Sequence, residues 1–331
     1  MSDVFTRYEL ALQQLLARLG KQHPRAAEAR TLQARLLENI AAARRHGDTE
    51  SRRAERSEIR EALDLLAVAS LDVTFNELVF PPAPHPAKLE AHGPLAPELV
   101  RIPAGAFLLG SDPQQDQDAL ENEQPQQRLY LPEYDIARAP VTNAQYAVFV
   151  RVAEHRAPKH WLLEEPPQGL ADHPVINISW HDALAYCRWL AEKTGRPYTL
   201  PTEAQWEKAA RGPDGRLYPW GNTFDRAKCN TEEADVGGTT PVGRYSPMGD
   251  SPYGCIDMAG NVWEWCRTKW RTSYQEAEDN DLEGEAPRVV RGGAFRRSAG
   301  RARCASRFRL LPRDDWGDHG FRVVADEASE R

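Results

Sequence analysis

The chain has 331 residues, a net charge of -7 and a hydrophobic share of 41%, which suits two domains, or one large domain with an appendage. No apolar run is long enough to span a bilayer, and the opening MSDVFTRYEL lacks the basic and apolar regions of a secretory signal, so the cytoplasm is the expected compartment. The five cysteines, Cys187, Cys229, Cys255, Cys266 and Cys304, form no C-x-x-C pair, which argues against zinc, and their odd number argues against a disulfide scaffold.

Residues 1–80 read as a small helical bundle. YELALQQLLARLG spaces Leu10, Leu12, Leu15, Leu16 and Leu19 mostly by three and four, with Gly20 as a C-cap. PRAAEARTLQARLLENIAAARRHG starts at Pro24 and ends on His46 and Gly47, a basic last turn before a glycine stop. A third helix runs through SRRAERSEIREALDLLAVASL, and DVTFNELV is a short fourth piece. These helices hold no catalytic constellation. They are expected to pack on the second domain, to form a dimer or to recruit a protein partner. Residues 81–97 are proline-rich, lack periodicity and read as an extended linker.

From Glu98 the texture changes to short strand-like pieces, tryptophans and Gly/Pro/Asn turns. LVRIPAGAFLLGS reads as a hairpin turning at Ala104-Gly105. PVTNAQYAVFVRVAE reads as a helix capped by Thr142 or Asn143. SWHDALAYCRWLAEKTG is a second helix, with Ser179 as its cap, Leu184, Cys187, Trp189 and Leu190 as apolar contacts, and Gly195 as its end. In LPTEAQWEKAARG, Thr202 and Gln205 fit a capping box and Gly212 a stop. Loops and short strands follow to the end, which is a poor match to a doubly wound or barrel enzyme.

Charge is uneven along the chain. LGSDPQQDQDALENEQ is acidic, and residues 288–313 are strongly basic. A basic patch can serve an acidic ligand or nucleic acid. Stacking aromatics are sparse here, so nucleic acid is not expected. Arginine can instead serve as an internal donor to carbonyls and carboxylates in a loop-rich fold.

The segments IPAGAFLLGS, PVTNAQYAVF, HPVINISWHDALAYCRWL, LPTEAQWEKAARG, YPWG, TTPVG, DMAGNVWEW, RVVRGGAF and GFRVV occur in this order over residues 102–324. In this the chain resembles the formylglycine-generating-enzyme, or sulfatase-modifying-factor, family. The resemblance implies an α+β chain with that family's version of the C-type lectin fold after the helical bundle, over residues 98–326. In a fold with little regular sheet, Trp180, Trp189, Trp206, Trp220, Trp263 and Trp265 are expected to fill the core between loops.

The enzymes of that family carry two cysteines after RGGS, five positions apart, which hold copper; soft thiolates suit Cu(I). Here Arg297 stands where the first would be, and Cys304 is the one thiol in the stretch. Cys304 resembles the packing cysteine of RCASR segments in non-catalytic relatives. Related sulfoxide synthases need an iron-binding H-x-x-x-H-x-E pattern in an N-terminal helical domain, where this chain has His23 and His46 without it. No catalytic residue is therefore assigned.

A third branch, the variable proteins of diversity-generating retroelements, binds ligands through the stretch between RGG and GFR. There a reverse transcriptase randomises adenines in AAY codons, which never yield Lys, Glu, Gln, Met or Trp. Residues 294–319 contain no Lys, Glu, Gln or Met, and Trp316, the one residue outside the reachable set, is read as a fixed position. The face this branch implies comprises Arg296, Arg297, Ser298, Phe308, Leu310, Arg313, Asp314, Asp315, Trp316, Asp318 and His319, on loops held by a rigid scaffold. Arg307 and Arg309 are read as scaffold arginines and left out. The enzyme branch binds calcium at positions that here are Asp257, Gly260, Val262 and Glu264, and hard oxygen donors suit Ca²⁺. Glu264 bonding backbone amides in a tight loop is the competing reading. Asn230 and Asp235 form a weaker second set.

Three functions are thus open: a non-catalytic display protein binding a protein or other macromolecule at its C-terminal face, a formylglycine-generating oxidase acting on sulfatases, and a signalling accessory with a lectin-like sensor.

Overall fold

The computed structural model describes residues 4–19, 23–46, 49–71, 96–161 and 164–325. They divide into two compact units, Met1–Lys88 and Leu89–Arg331. The expected caps Gly20 and Gly47, the DVTFNELV piece and most of the proline-rich linker lie outside the described residues.

In the first unit, helices α1 (Val4–Leu19), α2 (Ala26–His46) and α3 (Glu50–Leu71) all touch one another. The three-and-four spacing places Tyr8, Leu12, Leu15 and Leu19 inside, against Leu32, Leu36 and Ile40 of α2 and Ile59, Leu63 and Leu66 of α3. Asn39, Arg56 and Arg60 are buried with them, and Asn39 accepts from Arg56 Nη1 at 2.8 Å and donates to the Arg52 carbonyl at 3.0 Å.

The second unit is built of short strands and three helices. Strands β1 (Leu99–Ile102), β4 (Tyr134–Ala137), β10 (Val324–Ala325) and β5 (Tyr198–Thr199) form one sheet in the order β1-β4-β10-β5. β2 (Gly105–Leu109) pairs with β3 (Gln127–Leu131). The third sheet runs β8 (Arg307–Leu310), β7 (Arg288–Arg291), β6 (Trp263–Lys269), β9 (His319–Gly320). The expected hairpin over LVRIPAGAFLLGS does not form. Leu99–Ile102 pairs with β4 and Gly105–Leu109 with β3, so the Ala104-Gly105 turn passes the chain from one sheet to another.

Three helices carry the caps expected of them. α4 (Asn143–Ala153) is capped by Thr142, whose hydroxyl accepts from Gln145 N while Gln145 Oε1 accepts from Thr142 N. α5 (Trp180–Thr194) starts at Ser179 and stops at Gly195 in the left-handed region. α6 (Glu203–Arg211) starts at Thr202 and ends at Gly212. Trp180, Trp189, Trp263 and Trp265 lie in one cluster with Tyr146, Phe149, Tyr186 and Phe321, and Trp206 in a second, while Trp220 is half-buried and stacks on Tyr218.

α6 departs from the usual amphipathic rule. Every residue of EAQWEKAAR is buried, including Glu203, Glu207, Lys208 and Arg211. Buried charge is tolerated only when paired. Arg211 Nη1 donates to Glu207 Oε1 at 2.7 Å, and Lys208 Nζ donates to the carbonyls of Pro103 and Gly105. The remaining carboxylate oxygens face the basic C-terminal stretch.

Candidate functional face

Eight of the nine arginines of residues 288–313 split into two groups, and Arg301 is half-buried. Arg288, Arg291, Arg303 and Arg307 are buried, and Arg296, Arg297, Arg309 and Arg313 are exposed. Three of the buried arginines answer acidic side chains, while Arg288 donates to the carbonyls of Arg267, Asp281 and Glu283. Arg291 Nη1 donates to Glu203 Oε1 at 3.2 Å, its Nη2 to the Cys304 carbonyl at 2.6 Å, and it also pairs with Glu207. Arg307 Nη2 donates to Glu203 Oε2 at 2.8 Å, and its Nη1 to the carbonyls of Asn122 and Arg271. Arg303 reaches into the acidic segment: it donates to both oxygens of Glu123 at 2.8 and 2.9 Å, to the Asp118 carbonyl, and to Asp116. Arg303 thus ties the basic stretch to the acidic one, while Arg291 and Arg307 pair with the carboxylates of α6.

Two glycines let this stretch leave the sheet. Gly292 and Gly293 have φ of +96° and +75°; a Cβ on Gly293 would lie 2.8 Å from the Arg301 carbonyl oxygen, and one on Gly292 would lie 3.1 Å from the Trp206 ring. Cys304 sits next to this crossing. It is fully buried, and burial pushes its thiol up to about 12. Such a thiol is not a thiolate at neutral pH. All five cysteines are free and buried.

The residues expected to form the ligand face divide by exposure. Arg296, Arg297, Ser298, Phe308, Arg313 and Trp316 are exposed, Trp316 at 68%. Leu310, Asp314 and Asp315 are half-buried. Asp314 Oδ2 accepts from Leu311 N at 2.9 Å, fixing its own turn. Asp315 accepts from Lys159 Nζ at 2.8 Å and Arg156 Nη1 at 3.1 Å, and these hydrogen bonds hold its carboxyl below the usual range. Asp318 and His319 leave the exposed set: each is 4% exposed. β9 pairs in parallel with β6, Trp263 against His319, which draws this pair inward. Burial lowers the His319 imidazole, while Asp318 Oδ2 lies 3.4 Å from Arg297 Nε.

The two ends of the segment lie together, with exposed side chains over buried ones. Arg297 touches Asp318; the Trp316 ring stands edge-on to His319 at 6.4 Å; and Phe308 lies 6.1 Å from Trp263, whose strand partner is His319. Sequence reasoning missed two members of this surface. Leu311 is 37% exposed, and Arg309, assigned to the scaffold, is exposed with its guanidinium 5.5 Å over the Trp270 ring. The pattern of a half-covered edge strand was the available signal.

The oxygen set expected for calcium is hydrogen-bonded within the fold. Arg322 Nε and Nη2 donate to the two Glu264 oxygens at 2.6 and 2.7 Å, and Trp206 Nε1 adds a bond at 2.7 Å, so Glu264 is the partner of a buried guanidinium. Asp257 Oδ2 accepts from Gly243 N and Asn261 Nδ2, and burial raises its carboxyl to about 6. Gly260 and Val262 close a tight turn, Val262 N on the Gly260 carbonyl at 3.0 Å. Asn230 spends its amide on the Gly238 carbonyl and Asn261, and Asp235 ends a short 3-10 turn. Among the described residues, no group of three or more His, Cys, Asp or Glu side chains is placed to hold a metal ion. No described helix is long and apolar enough to cross a membrane.

Comparison with known proteins places this geometry in a family. Residues 86–327 match the sulfatase-modifying factor enzyme 1-like domain. Over 298 residues the chain is 32% identical to a formylglycine-generating enzyme of Thermomonospora curvata, covering 70% of this chain and 94% of that one. It is also 34% identical over 259 residues to the serine/threonine-protein kinase Pkn1 of Chlamydia trachomatis, where the match covers 70% of this chain but spans only 39% of the kinase. Among solved structures, Treponema denticola variable protein 1 superposes with a TM-score of 0.55 at 22% identity, over 69% of this chain and 95% of that one. The chain belongs to the sulfatase-modifying-factor, or formylglycine-generating-enzyme, family, and its second unit carries that family's C-type lectin fold.

Proposed function

We propose that this protein is a non-catalytic, ligand-binding display protein of the retroelement variable type, with its binding face between β7 and β9. One observation carries the reading. Within residues 294–319, buried Arg303, Cys304 and Arg307 hold the backbone, while Arg296, Arg297, Ser298, Phe308, Arg313 and Trp316 stand in solvent. A segment built this way can exchange its outer residues without unmaking its inner ones. Arg, Trp and Phe on such a face are suited to a protein ligand, and binding of this kind asks for no redox cofactor.

Oxidase chemistry is the first competitor, because a close relative is a formylglycine-generating enzyme. Copper held by two thiolates would need the positions of Arg297 and Ala302, five apart, and the neighbouring thiol of Cys304 is buried and protonated. A sensor module is the second, favoured by the kinase relative in which the matched region is 39% of a longer chain.

The DNA flanking the gene decides between display and sensing. Display requires a nearby reverse transcriptase and a near-repeat of the DNA encoding residues 294–319, rich in AAC. A locus with neither removes the display role. Copper titration followed by a peptide-cysteine oxidation assay tests the oxidase: no turnover is expected, and turnover would overturn the proposal.

A further inference from the structure

β8 lies at one edge of its sheet, and only its inner side is paired, from Arg288 opposite Leu310 to Arg291 opposite Arg307. In an antiparallel ladder, alternate residues turn their N–H and C=O groups toward a given neighbour. Half of the β8 backbone groups therefore face away from β7. Among the described residues, no other segment bonds to the backbone of 307–310. An edge of this kind is a template for an added strand.

The side chains select what is added. Protected edges are kept short, charged, bulged or covered. This one sets Phe308, 44% exposed, and Leu311, 37% exposed, beside the exposed Arg309 and Arg313. Nearby acids do not neutralise the two arginines. Asp314 bonds Leu311 N, and Asp315 is held by Lys159 and Arg156. A second copy of the chain pairing through β8 would set arginine against arginine, and like charges opposite one another in a ladder are destabilising. An extended segment with acidic residues at alternate positions meets the arginines with its charges and offers the edge its backbone.

We propose that β8 accepts an extended acidic polypeptide segment as a fifth strand of this sheet. The proposal rests on the reading of residues 294–319 as a ligand face, and commits that face to one ligand chemistry.

The test uses the full chain and a blocked peptide alternating glutamate and valine, read by fluorescence anisotropy. Binding is expected to exceed that of the matching lysine–valine peptide by about tenfold or more, and Arg309→Glu with Arg313→Glu to lose about the same factor. Two further peptides carry N-methyl groups on one or the other alternate set of residues. An added strand uses only one set of N–H groups toward the edge, so one peptide is expected to bind and the other to fail. Equal behaviour of the two, whether both bind or neither does, overturns strand addition. So does a lysine peptide that binds as well as the acidic one, an unmodified acidic peptide that does not bind, or a stable dimer in sedimentation that the peptide cannot displace. Alternation without a template repeat in the flanking DNA would leave the edge site standing and remove only the display role.

Discussion

Arg291 touches both carboxylates of α6 and the backbone of the segment that follows β7. It is fully buried, as are Glu203 and Glu207. Removing one partner of such a set leaves charge stranded in a low dielectric. Arg291→Met is expected to cost about 3–5 kcal/mol in urea unfolding; a loss below about 1 kcal/mol would show that α6 does not depend on the pair. His173 offers a test by pH. Burial, with the charge of Arg244, holds its imidazole down to about 4, against 6.5 for an ordinary histidine. The folded state thus favours the neutral ring. Its contribution is complete above the unfolded pKa near 6.5 and is lost as pH falls through about 4. Wild type should lose about 3 kcal/mol on this account between neutral pH and pH near 4, and His173→Gln, which cannot titrate, should lose correspondingly less. An unchanged pH dependence in the variant would contradict the assignment.

At the scale of elements, the segment between β7 and β9 turns some side chains inward and leaves others in solvent. Arg303 and Arg313 make the contrast. Arg303→Ala would strand Asp116 and Glu123 and is expected to cost about 3–5 kcal/mol, whereas Arg313→Ala should stay within about 0.5 kcal/mol by thermal denaturation. Equal costs would contradict the division. Local signals made much of this level legible: Ser179, Thr202 with Gln205, and the stops Gly195 and Gly212 stand where spacing and capping chemistry put them. Long-range pairing was not legible. Nothing local in LVRIPAGAFLLGS says that its two halves join different sheets, because the partners β4 and β3 lie further along the chain. The direction of each arginine was hidden for the same reason. Arg303 turns inward only because Glu123 lies 180 residues away in sequence and 2.8 Å away in space. The same long-range pairing gave Glu264 to Arg322.

For the whole molecule, the second unit draws its core clusters from its own residues, from Ile102 and Phe107 to Val324 and Ala325. Leu89–Arg331 is therefore expected to unfold as one cooperative transition when produced alone; a broad, non-cooperative melt would contradict that. The account as a whole rests on the claim that a scaffold of inward arginines presents an exchangeable outer face. A substitution scan of residues 294–319, scored by the folded fraction of each variant, tests it most directly. The expected profile is broad tolerance at Arg296, Arg297, Ser298, Phe308 and Arg313, and loss of folding at Arg303, Cys304 and Arg307. Uniform intolerance across the segment, or tolerance at the three buried positions, would contradict it.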